Sequence, residues 1–252
     1  MMLINGKHRF LLCVFASLCS MVTAQNPHAP AQEAIKLPEC IKSHGDDSLL
    51  TRHHMAYFQE NFRQAKYAEA YINWSYVFNH APCSYKSIYQ RGPQIIAYLM
   101  EHTTDSARRL QLMDTLFMIF PKRMKYFGEE ALINGYLAYY TSKYKPFELE
   151  AIMKGYAFYI EHYEGRKDEH YFMDFMRNTV LAYQNTLIDQ EVLCGVYLRL
   201  KELAQAEHQA AKKDDKGYSS WNPVLLYLDE LMKDRVKCSA DHTLTEYARY
   251  YA

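Results

Sequence analysis

From residue 48 to residue 236 the apolar positions recur at three- and four-residue spacing, the period of a helix with one buried face. The spacing predicts a first helix capped by Asp46, Asp47 or Ser48, with Leu50, His54, Tyr57, Phe58 and Phe62 on its inner face. After the turn "RQAK", a second helix presents Ala70, Trp74, Val77 and Phe78 and stops at Pro82. A third begins near Ser84 and carries Ile88, Ile95, Ile96 and Leu99. "HTTDS" breaks it and caps a fourth, with Leu110, Met113, Leu116, Phe117 and Phe120 repeating. Pro121 and Gly128 predict a short connector. "EEALINGYLAYY" and "PFELEAIMKGYAFYIEHY" read as two further helices, "GRKD" as a hinge, and Glu169 to Thr186 as the next helix. The helix from Asp189 bears Val192, Leu193, Val196, Tyr197, Leu200 and Leu203, and its polar tail "QAEHQAAKKDDKG" is expected to project into solvent or fray. Trp221 to Val236, with Pro223 in its first turn, closes the series. No alternating run of β-branched residues predicts a strand. The fold expected is all-α, about nine to ten helices arranged as antiparallel hairpins.

Helices of this length with short turns form either a bundle or a solenoid, and internal repeats decide between them. A tetratricopeptide repeat spans 34 residues and ends its second helix at a proline. With Pro82 at that place, Tyr67 starts the second helix, Ala70 takes the small crossing position and Trp74 the bulky aromatic one. Gly92 in "IYQRG" and Gly135 in "LINGYLAYY" fall at the small position of two later units. A small residue lets two helices approach, and a large ring fills the groove beside it. The blocks "NFRQAKYAEAYINWSYVFNHAP", "SIYQRG" and "DTLFMIFPKRMKYFGEE" together resemble an exported tetratricopeptide-repeat family of Bacteroidetes, over roughly residues 50–142. Phe120 and Pro121 stand where that family usually has Tyr and a polar residue. The resemblance implies a TPR-like α-solenoid and a place outside the cytoplasm; it carries over no catalytic residue. The expected organisation is a signal peptide over 1–24, a lead-in over 25–45, TPR-like hairpins over 46–144, and further hairpins over 145–252.

The signal-peptide reading rests on Lys7, His8 and Arg9, then the apolar run "FLLCVFASLCSMV", too short to span a bilayer, then "VTA" before a break. Cys13 and Cys19 each follow a leucine, which argues against a lipoprotein signal. The expected location is periplasmic, outer-membrane-associated or secreted, with no transmembrane helix in the mature chain. In such a compartment the four cysteines left, Cys40, Cys83, Cys194 and Cys238, suggest two disulfides. Three connectivities are open, and the clustering in sequence favours Cys40–Cys83 and Cys194–Cys238.

Composition narrows the chemistry. Lys+Arg and Asp+Glu number 29 each, so the chain lacks the basic footprint of a nucleic-acid binder. No P-loop, dinucleotide fingerprint or GxSxG occurs. His53 and His54 are neighbours pointing about 100° apart, so no metal site is assigned to them, to His44 or to Asp46 and Asp47. No cofactor is expected. Glu161, His162, Glu164, Asp168, Glu169 and His170 cluster around one turn; a hydrolase built on them is a lesser alternative to a charged hairpin rim. "NWS" at Asn73 fits a glycosylation pattern but falls inside a helix. The outlying feature is 23 tyrosines. Most are expected to pack between helices. Tyr136, Tyr139, Tyr140, Tyr156, Tyr159 and Tyr163 mark a candidate groove. The function expected is a scaffold that binds a protein or peptide, with glycan or small-molecule binding in the tyrosine-rich groove as the alternative.

Overall fold

The computed structural model describes residues 43–213 and 221–238, together with Tyr247 and Tyr251. The predicted signal peptide and most of the lead-in, with Cys40, lie outside the described residues. Among the described residues the fold is all-α. Nine helices follow one another: α1 (Ser48–Arg63), α2 (Tyr67–His80), α3 (Ser87–His102), α4 (Ser106–Phe127), α5 (Glu130–Tyr144), α6 (Leu149–His162), α7 (Glu169–Gln184), α8 (Gln190–Lys213) and α9 (Trp221–Met232). Each helix packs against the next in sequence, and α5 with α7 and α7 with α9 also touch. This is the contact pattern of stacked helical hairpins.

Local chemistry sets the boundaries. Asp47 Oδ1 accepts from the amide of Leu50 at 2.8 Å, Asp105 Oδ1 from Ala107 at 2.9 Å, and Asp168 Oδ1 from His170 at 2.9 Å. Each carboxylate satisfies a backbone donor that the first turn leaves unpaired. The starts of α1, α3, α5 and α7 lie 39, 43 and 39 residues apart. The hairpins are therefore longer than the 34 residues expected, and the middle one is the longest because α4 runs for 22.

Part of that length comes from Pro121, where a connector was expected. The helix instead continues through Pro121 to Phe127. A proline inside a helix removes one hydrogen bond and crowds the preceding turn, at a cost of about 3 kcal/mol. Continuing the helix buries Phe120 on one side of the proline and Arg123 on the other. Chain reversal falls to Gly128 and Glu129, both in the left-handed region at φ +69° and +63°.

Two helix faces are rotated from expectation. In α1 the buried residues are Thr51, Met55 and Phe58, while Leu50 and Tyr57 are exposed. Among the described residues α1 packs chiefly on α2, with Arg91 of α3 over the Phe62 ring at 5.0 Å. In α4 the core positions are Leu112, Leu116, Ile119 and Phe120, and Leu110 faces solvent. The tail of α8 stays helical to Lys213, with Gln205, Ala206, Gln209 and Ala210 exposed.

The core has two parts joined at α5. One gathers Met55, Phe58, Trp74, Phe78, Ile88, Ile95 and Ile133 with their neighbours; the other gathers Ala138, Ile152, Tyr156, Phe172, Leu193 and Trp221 with theirs. Ala70 is fully buried. Trp74 lies flat on Gly92, where an added Cβ would meet its indole at 2.9 Å, and its Nε1 donates to Ile88 O at 2.7 Å. Gly135 lies against Tyr159 in the same manner, at 2.8 Å, and Tyr67 Oη accepts from Gln94 at 2.7 Å. Cys194 and Cys238 form a disulfide across 44 residues, tying α8 to the segment after α9. Cys83 is also disulfide-bonded; Cys40, its expected partner, lies outside the described residues.

Candidate functional site

The six tyrosines of the expected groove do not share one surface. Tyr156 and Tyr159 are core residues, fully buried, because their helix is packed between α5 and α7. Tyr156 Oη donates to Asp174 Oδ2 at 2.5 Å, and Tyr159 Oη accepts from the Asp168 amide at 2.9 Å. Burial pushes the Tyr159 hydroxyl up to about 12 and raises Tyr156 further, with the Asp174 charge adding to the second effect. Tyr136, Tyr140 and Tyr163 are half-buried; burial pushes Tyr140 up to about 12. Tyr139 alone among the six is exposed. Tyr171, which the expectation omitted, sits in the middle of the group with ring contacts to Tyr136, Tyr139, Tyr156 and Tyr159. Most of these rings are a packed aromatic layer between helices.

Tyr139 opens onto the face made by α5, α7 and α9. A cleft of 390 Å³ lies there, lined by Tyr139, Ser142 and Lys143 from α5, His170, Met173, Asp174 and Arg177 from α7, and Tyr227 from α9. Spacing explains the lining: Tyr139, Ser142 and Lys143 are three and four apart, and His170, Met173, Asp174 and Arg177 occupy one face of α7 over two turns. Asp174 sits at the floor, bonded to the Tyr156 hydroxyl through one oxygen and to Arg177 through the other. Arg177 Nη2 also reaches Ser142 Oγ at 3.4 Å, and Asn178 Nδ2 reaches the same oxygen at 3.2 Å. Lys143 donates to Glu101 of α3 at 2.9 Å. That bond holds the ammonium above its ordinary value and Glu101 below its own. The arrangement can hold a polar, flat-bodied group.

The charged turn of Glu161 to His170 comes apart in three dimensions. Arg199 of α8 grips Glu161 through two bonds, at 2.8 and 2.7 Å. Burial raises the Glu161 pKa, but the bonds and charge of Arg199 outweigh it and the group lies below its ordinary value. His162 Nδ1 turns back to Phe158 O at 3.0 Å, Asp168 caps α7, and His170 lies beside Asp168. Among the described residues no group of three or more His, Cys, Asp or Glu could hold a metal ion, and no helix is long and apolar enough to cross a membrane.

Sequence reasoning missed Ser142, Lys143, Met173, Asp174, Arg177 and Tyr227. The polar face of the 169–184 helix was the available signal for two of them, Asp174 and Arg177. Which face of which other helix it would meet was not written in the local pattern. Comparison with family models, curated proteins and solved structures gives no match for this chain.

Proposed function

We propose that the protein is an exported, tetratricopeptide-like helical-repeat scaffold that binds a peptide or protein segment along the face of α5, α7 and α9, without catalysis. The observation that carries this reading is the form of that face: charged groups and two tyrosines spread across three alternate helices in an open cleft. Stacked repeats characteristically use such extended surfaces for recognition. The basic–apolar–small pattern of the first 24 residues and the Cys194–Cys238 disulfide support export to an oxidising compartment. The glycan alternative is favoured by one specific feature, the exposed Tyr139 and the half-buried Tyr227 on opposite sides of the polar floor.

The test is a random-sequence peptide array, each peptide blocked at both ends, probed with the mature protein and with a Tyr139→Ala/Arg177→Ala variant. Peptides retained by the parent and lost by the variant support the reading. No retained peptide, or the same set retained by both proteins, overturns it.

A further inference from the structure

The cleft between α5, α7 and α9 contains one carboxylate, and the protein already uses it. Asp174 Oδ2 accepts from Tyr156, and Oδ1 accepts from Arg177. What remains for a ligand is a set of donors. Arg177 is half exposed and engages only Nη2, so Nε and Nη1 have no partner among the described residues. Ser142 Oγ already accepts from Asn178 and from Arg177, which leaves its own proton to point onward. Lys143 is bonded to Glu101 and lies 5.1 Å from the centre of the Tyr144 ring, so it adds charge more than free donors. Asp174 and Ser142 hold Nη2, so the guanidinium is oriented before any ligand arrives. Beside these donors lie Met173 and the rings of Tyr139 and Tyr227.

A lining whose free valences are donors favours an acceptor-only group, and an oriented guanidinium favours an ionised one. We infer that this cleft selects the side-chain carboxylate of an aspartate or glutamate in the bound peptide, with a neighbouring apolar side chain resting on Tyr139 and Met173. The inference rests on the peptide-scaffold reading and narrows its ligand to acidic segments. Asp174 has the same charge as the incoming group, so Arg177 serves both carboxylates. The selection therefore depends on Arg177 more than on Lys143, which Glu101 already holds.

The experiment takes the peptides retained on the blocked array and measures affinity in solution for each acidic one beside its Glu→Gln or Asp→Asn counterpart, with the mature parent and with Arg177→Gln. Circular dichroism and melting verify that Arg177→Gln, a change at a half-exposed side chain, folds as the parent does. The expected result has three parts: retained peptides are enriched in Asp and Glu, the amide counterpart binds the parent at least tenfold more weakly, and that ratio collapses towards one in Arg177→Gln. Added salt weakens the acidic peptides more than their amide forms. Arg177→Lys restores the charge without the oriented planar donors and recovers only part of the preference. Retained peptides that are neutral or basic, or an acid-to-amide ratio that persists in Arg177→Gln, overturn the inference while leaving the scaffold reading in place. An array that retains nothing overturns both. Sodium glucuronate, run as a separate arm, overturns the inference if it binds the parent, fails on Arg177→Gln and no peptide competes, since the cleft then belongs to an acidic saccharide.

Discussion

In the N-terminal core Trp74 of α2 rests on Gly92 of α3 and donates to a backbone carbonyl in the first turn of α3. In the C-terminal core Tyr159 of α6 rests on Gly135 of α5 and accepts from the amide that opens α7. Both use a large ring against a glycine, and both tie the polar tip of the ring to backbone at the start of the following odd-numbered helix. The ring fixes how closely two helices approach, and the bond fixes where the next one begins. The difference lies in direction. Trp74 seats on the helix that follows its own, whereas Tyr159 seats on the one before. Each core also has an arginine–glutamate clamp. Arg123 is 4% exposed and gives two bonds to Glu129 Oε2, at 3.2 and 2.8 Å. Arg199 is 24% exposed and bonds Glu161. The same two devices therefore recur at different depths, and the depth sets their expected weight.

Removing the largest buried ring is the largest break. Trp74→Ala leaves a cavity and strands the Ile88 carbonyl, and should cost about 3–5 kcal/mol. Because α5 joins the two cores, hydrogen exchange should show lost protection across α1 to α4 first and less loss from α6 to α9. An unchanged melting midpoint would mean that the indole contributes little to the N-terminal core. The converse break is Cys238→Ser. A bridge across 44 residues is worth on the order of 4 kcal/mol by chain entropy, an upper figure. Its loss should loosen α8 and α9 while α1 to α4 keep their protection; equal loosening of both halves would show that the cores do not unfold separately.

The two clamps sharpen the comparison through pH. Burial raises Glu129, but its bonds from Arg123 and Lys86 outweigh that and hold it below its ordinary 4.5; Glu161 is lowered through Arg199 in the same way. A lowered folded-state value gives stability that is present above about pH 4.5 and lost as pH falls through the folded-state value. Glu129→Gln strands the buried Arg123 charge and should cost about 2–3 kcal/mol at pH 7. Glu161→Gln, beside a more exposed arginine, should cost about 1 kcal/mol. Denaturant melts of each variant beside the parent should show both deficits shrinking below pH 4.5, and a constant gap down to pH 3 would remove the clamp interpretation. The smallest effects test the glycines. In Gly92→Ala and Gly135→Ala the new methyl meets a ring at 2.9 and 2.8 Å, while the helix itself gains from losing a glycine. The net cost should be roughly 1–2 kcal/mol in each case. A stabilised Gly135→Ala beside a destabilised Gly92→Ala would show that Tyr159 yields where Trp74 does not.

The sequence by itself determined the helices and most of their ends. Period decides which residues can share a face, Asp47 and the aspartate of "HTTDS" announce their caps, and Ala70, Trp74, Val77 and Phe78 all lie on the buried side of α2. These are consequences of near neighbours in the chain, within three or four residues of one another. The tertiary structure decided what local spacing cannot carry. Leu50 and Tyr57 satisfy the same period as Met55 and Phe58, and it is the placing of α2 against α1 that buries the second pair and leaves the first in solvent. Pro121 looks like a break until Phe120 and Arg123 are both buried by passing through it. Tyr156 and Tyr139 are equally plausible groove residues as letters. One lies between α5 and α7 and the other at the open edge, because stacking covers the first and not the second. The cleft is legible only in the fold, since Ser142, Asp174, Arg177 and Tyr227 come from three helices spread over 86 residues. Their meeting depends on the packing angles of whole hairpins, a sum of many weak contacts that no single stretch of sequence contains.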